Sequence, residues 1–130
     1  MIIDGKNAVL GRLASYTAKK LLAGEEITLI NAENIIITGR PNDIKTKYLA
    51  FKGRGSPQHG PFFPRQPNMF VRRVIRGMLP KEKKGRDALK NLKVYAGSNG
   101  MSGEQVATKL IKTNYITVGE LSKTLGWHKQ

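Results

Sequence analysis

Any chemistry in this chain has to come from nine carboxylates, two histidines and 23 lysines and arginines, because it contains no cysteine. The lack of cysteine excludes a disulfide scaffold, a thiolate metal site and a sulfur nucleophile, and it fits an intracellular setting. His59 and His128 lie far apart, without a neighbouring carboxylate or second ligand, so neither begins a metal site and each reads as an exposed or contact residue. The carboxylates are scattered, and nothing favours an acid/base pair over surface solvation. No catalytic residue, metal ligand or cofactor is therefore assigned. Two glycine patterns could cradle phosphate, and both fail in detail. Gly5-Lys6 lacks the Gly-Lys-Ser/Thr ending of a phosphate loop, which leaves a plain tight turn. Gly53-Arg54-Gly55 opens like a dinucleotide fingerprint, yet Pro57 follows, Gly60 is out of register and no strand precedes it.

Charge is the remaining chemistry. The 130 residues carry a formal net charge of +14, distributed unevenly. Residues 1–39 balance Lys6, Arg12, Lys19 and Lys20 against Asp4, Glu25, Glu26 and Glu33. Residues 40–93 set fifteen cations against Asp43, Glu82 and Asp87, and hold every arginine except Arg12. Arginine is the side chain that forks onto phosphate and stacks on bases. So dense a patch repels itself unless a polyanion neutralises it, which points to nucleic acid. The candidate contacts are Arg40, Lys45, Lys47, Lys52, Arg54, Arg65, Arg72, Arg73, Arg76, Lys81, Lys83, Lys84 and Arg86. Phe62 and Phe63 either stack on unpaired bases or pin their loop to the domain.

These cations need a scaffold. Leu, Ile, Val and Phe make up about a quarter of the chain, above the range of charged disordered proteins. The length suits one core and hence a single domain over 1–130. Met1-Ile2-Ile3-Asp4-Gly5 has no leader pattern, and no window reaches the roughly 18 apolar residues of a membrane span, so a soluble protein is expected.

Met1–Asp4 reads as a strand and Asn7 as the N-cap of a helix to about Ala23, with Gly24 as its left-handed terminator. Ile27–Ile30 and Ile35–Thr38 are β-branched strands. Only Asn31–Asn34 separates them, too few residues for a parallel crossover, so an antiparallel pairing or one bent strand is preferred and the local topology stays open. Pro41 opens a helix with Ile44, Tyr48 and Phe51 on one face. Residues 52–67, with four prolines and three glycines, read as a basic binding arm.

Asn68–Leu79 is expected to be a helix with Phe70, Val71, Val74, Ile75 and Met78 inward and Arg72, Arg73 and Arg76 outward, stopped by Pro80. A short helix at Arg86–Asn91, a strand at Leu92–Tyr95 and a flexible turn at Gly97–Gly103 follow. Ser102 with Gln105, and Thr117 with Glu120, form capping boxes, predicting a helical tail over about 98–130 whose helices run toward Lys112 and Gly126. Trp127 reads as packing.

Val74-Ile75-Arg76-Gly77-Met78-Leu79-Pro80, Gly85-Arg86 and Leu92-Lys93-Val94-Tyr95-Ala96-Gly97 resemble the universal large-subunit ribosomal protein thirteen family. Leu10-Gly11-Arg12-Leu13-Ala14-Ser15, Ile30-Asn31-Ala32-Glu33 and Thr38-Gly39 extend the resemblance over roughly 1–97. The short N-terminus, Phe51-Lys52-Gly53-Arg54-Gly55 and Leu125-Gly126-Trp127 look like the archaeal and eukaryotic branch, and the compact length favours archaeal. Ser98–Glu104 departs from the histidine-containing segment of bacterial members. The resemblance implies a three-layer α/β/α fold with a four-stranded, mostly parallel sheet. It also implies a non-catalytic role in the cytoplasmic ribosome, with large-subunit ribosomal RNA and neighbouring ribosomal proteins as partners and no membrane or small-molecule substrate.

Overall fold

The structure, a computed structural model, describes residues 1–52, 64–106 and 113–127. Six strands and five α-helices are described: β1 (Ile2–Asp4), α1 (Leu10–Leu22), β2 (Ile27–Ile30), β3 (Ile36–Thr38), α2 (Pro41–Lys52), α3 (Pro67–Met78), α4 (Lys83–Leu89), β4 (Leu92–Val94), β5 (Glu104–Gln105), β6 (Tyr115–Thr117) and α5 (Val118–Thr124). A four-stranded sheet runs β4-β2-β1-β5, every pairing parallel, within a three-layer α/β arrangement. Its register sets Ile3 beside Leu29, and Leu29 beside Val94. Ile3, Ile27, Leu29 and Leu92 are buried, whereas Lys93 of β4 is exposed.

The β1–α1–β2 unit follows from the sequence. Leu10, Leu13, Ala14, Thr17, Ala18 and Leu21 put one side of α1 into the core, where it packs on α3 and α4. At its end the Glu25 N–H reaches the Lys20 carbonyl and the Gly24 N–H reaches Leu21, with Gly24 at φ +92°. That is the left-handed closure expected of a glycine there. The expected N-cap is corrected: Asn7 sits at φ +63° inside the preceding turn, and Val9 caps the helix without a side-chain bond. The turn closed by Ala8 N–H on Gly5 uses the left-handed conformation that asparagine tolerates, so the helix starts later.

The expected pairing of the second and third strands is also corrected. A single turn of 3-10 helix at Ala32–Asn34 carries the chain out of the parallel sheet, and β3 pairs antiparallel with β6 in a separate two-stranded sheet. Asn31 enters that turn at φ +56°. The short connection is therefore compatible with parallel β2, because β3 is not its neighbour.

In the tail, Thr117 caps α5 as expected, its Oγ1 accepting the Glu120 N–H at 3.2 Å. The Ser102–Gln105 box opens no helix. Glu104–Gln105 instead forms β5 beside β1. A Cβ at Gly103 would lie 2.7 Å from the Ile2 carbonyl oxygen, so the backbone here is pressed against the sheet edge, and long-range pairing overrides the local capping signal. The rest of that expected helix, toward Lys112, lies largely outside the described residues. No described helix is long and apolar enough to cross a membrane.

Candidate nucleic-acid interface

The basic residues are positioned by a helical hairpin. Pro67 stands at the start of α3, where its missing N–H costs nothing. Phe70, Val71 and Ile75 then bury the helix against the core, leaving Arg73, Arg76 and Gly77 exposed. After Pro80 the chain reverses into α4, which begins at Lys83, three residues earlier than expected. The reversal depends on Gly85: a Cβ there would overlap the Pro80 carbonyl oxygen and stand 2.8 Å from its carbon. Because both atoms are backbone, no side-chain adjustment relieves the overlap, and α4 can lie this close only with glycine.

This close approach creates an open cleft of about 520 Å³. Arg73 and Arg76 reach it from α3, Lys81 from the turn and Arg86 from α4, while Leu79, Pro80 and Leu89 give it apolar lining. None of the described residues lining it is acidic. Four cations around an apolar base suit a chain of phosphates carried on sugars, because the charges meet phosphate oxygens while the lining meets less polar sugar edges. Lys83 and Lys84 are exposed on α4, and Arg65 is exposed just before α3.

Arg72 is corrected. It is partly buried, and its guanidinium donates to the Leu92 carbonyl at 2.7 Å and the Leu89 carbonyl at 3.3 Å. Leu89 closes α4, where carbonyls lack helical partners and the helix dipole favours a cation. Arg72 thus ties α3 to α4 and β4, although it still borders a smaller hollow with Arg73 and Arg76. Met78 is corrected as well: it is 44% exposed, and the following residue, Leu79, turns inward instead.

The remaining sites are more dispersed. Arg40 is exposed beside a different hollow, formed with Thr38, Gly39, Thr113 and Asn114. On α2, Lys45 is half-buried and Lys47 exposed, its Nζ 5.5 Å from the Tyr48 ring centroid. Tyr48 in turn meets Phe70 edge-on at 5.1 Å, which fastens α2 to α3, and burial raises its phenol above the ordinary value. The side chains of Lys52, Arg54, Phe62 and Phe63 lie outside the described residues. The sequence reading missed Gly77, Gly85 and Leu89 as parts of the cleft. A glycine five residues after Pro80 was the available signal for the reversal.

The carboxyl ends of the parallel strands, where open α/β sheets usually hold nucleotides, are filled by the protein itself. Asp4 Oδ1 accepts from the Lys6 N–H at 3.0 Å and from Asn31 Nδ2 at 2.9 Å. Glu33 Oε2 accepts the Gly97 N–H at 2.7 Å, and the Asn31 N–H donates to the Gly97 carbonyl. Two carboxylates at this edge oppose a bound phosphate, whereas the α3–α4 cleft attracts one.

Comparison with known proteins agrees with the architecture. The family model for ribosomal protein L13 matches residues 1–101. The large ribosomal subunit protein uL13 of Methanopyrus kandleri is 48% identical, with 97% of this chain and 86% of that protein covered. Its namesake in Methanocaldococcus jannaschii is 47% identical over 96% of both chains, and that of Methanococcus maripaludis 45% identical over 97% of both. A family match over most of the chain, joined to these near full-length similarities, establishes that the protein belongs to the ribosomal protein L13 family.

Proposed function

We propose that this chain, acting as one domain over 1–130, is a structural constituent of the large ribosomal subunit. It binds folded large-subunit ribosomal RNA through phosphate contacts and supports subunit assembly beside neighbouring ribosomal proteins, in the cytoplasm and without catalysis. The observation that carries this reading is the gathering of Arg73, Arg76, Lys81 and Arg86 around one cleft whose described lining contains no acid. Family membership supports the ribosomal setting. Lys83, Lys84 and Arg65 extend the same surface, and Arg40, Lys45 and Lys47 supply further contacts. Lys52, Arg54, Phe62 and Phe63 contribute from the arm. Such contacts fix position without reading bases, so selectivity comes from RNA shape and 2′-hydroxyls.

The test is a salt titration with purified large-subunit ribosomal RNA. If about eight phosphates are engaged, log affinity falls against log salt with a slope of roughly −6 to −7. Replacing Arg73, Arg76 and Arg86 together by glutamine flattens that slope by roughly 2 to 3 units. A slope unchanged by the triple replacement refutes the placement. Equal competition by duplex DNA at matched salt replaces the ribosomal reading with general nucleic-acid binding.

A further inference from the structure

Gly77 has no reason within the described fold to be glycine. It lies in the last turn of α3, and a helical glycine is less stable than alanine because its backbone loses more freedom on folding. Its φ is not among the positive values. A Cβ built on it meets nothing within 4 Å beyond its own helix backbone and chain neighbours. Gly85 on the facing helix differs, being required by Pro80. Gly11, in the first turn of α1, is also bare, but it is not among the residues lining the cationic cleft.

Position alone distinguishes Gly77. It lines the cationic cleft immediately beside Arg76, opposite a reversal that brings in Lys81 and Arg86. A missing side chain at such a point leaves bare helix backbone between guanidiniums, and close approach by a ligand is a recognised use of glycine. Resting on the RNA-binding reading, we infer that Gly77 is the point of closest approach of the cleft to RNA, where a ribose–phosphate strand lies against the α3 backbone. Arg73 and Arg76 hold the phosphates on either side, and the apolar lining of Leu79 and Leu89 faces the sugars. A methyl group at position 77 occupies the space of the strand and shifts it off the helix backbone while the arginines still reach its phosphates. The loss arises from shape, so the number of neutralised phosphates stays nearly constant.

The experiment compares the full chain with Gly77→Ala and Gly77→Leu, measuring thermal unfolding of the free protein and binding to purified large-subunit ribosomal RNA across salt. Gly77→Ala is expected to melt roughly 2 to 4 °C higher, as a helical glycine replaced by alanine should. Its RNA affinity falls about fivefold or more at every salt concentration, with the slope preserved, and Gly77→Leu falls further. A variant that melts higher and binds RNA as well as the parent overturns the inference while leaving the RNA-binding reading intact. A variant that melts lower overturns it from the other side, by assigning the glycine to the fold. If the parent chain shows no salt-dependent RNA binding, both readings fall together.

Discussion

The carboxyl ends of β1, β2 and β4 and the reversal between α3 and α4 both gather charged side chains where secondary elements finish, and they handle that charge in opposite ways. At the sheet edge Asp4 and Glu33 are each committed to N–H donors of the same chain, Lys6, Asn31 and Gly97. In the helical hairpin, Arg73, Arg76, Lys81 and Arg86 face a shared opening whose described lining has no carboxylate. The first region spends its polarity on holding the scaffold together. The second gathers its cations around an opening instead. Arg72 marks the border, because it belongs to the arginine-rich helix yet serves the scaffold, donating to two carbonyls. Sequence clustering of like charges therefore overstates the contact surface unless each side chain is followed to its partner.

The contrast can be broken first at Gly85. Alanine there collides with the Pro80 backbone, so α4 must move away; a loss of about 3 kcal/mol in urea-unfolding stability is expected, together with weaker RNA binding. Stability equal to the parent would show that the reversal does not need the glycine. A smaller effect sharpens the border. Arg72→Met keeps the aliphatic stem and removes the two hydrogen bonds, so stability should drop by about 2 kcal/mol while the RNA salt slope changes by less than about half a unit. A full unit of slope lost would move Arg72 to the contact side. The smallest effect is expected in the neutral scaffold, where the Thr17 hydroxyl is fully buried without a hydrogen-bond partner among the described residues. Thr17→Val should add about 1 kcal/mol and leave RNA binding alone. A loss of stability would mean that the hydroxyl is satisfied after all.

Elements governed by local periodicity were legible in the sequence: α1 with its Gly24 terminator, α3 with its buried face, and α5 with its Thr117 cap. Elements governed by distant partners were not. The pairing of β3 with β6 brings together segments from opposite ends of the chain, and nothing near Ile36 announces Thr117. The Ser102–Gln105 box satisfied a local rule that the edge of β1 overrode. Of the site, the identity of the cations was readable and their grouping was not. Helical spacing puts Arg72 beside Arg73 and Arg76, whereas the carbonyls that capture it are supplied by α4 and β4.

The β3–β6 pairing also constrains the order in which the molecule is made. Residues 40–93 follow directly after β3, and that strand gains its partner only when Tyr115–Thr117 has been synthesised. A nascent chain emerging from its N-terminus thus exposes its entire arginine supply before the clasp behind it can shut. Closure of the β3–β6 clasp therefore comes after the cation-rich segment in the order of synthesis.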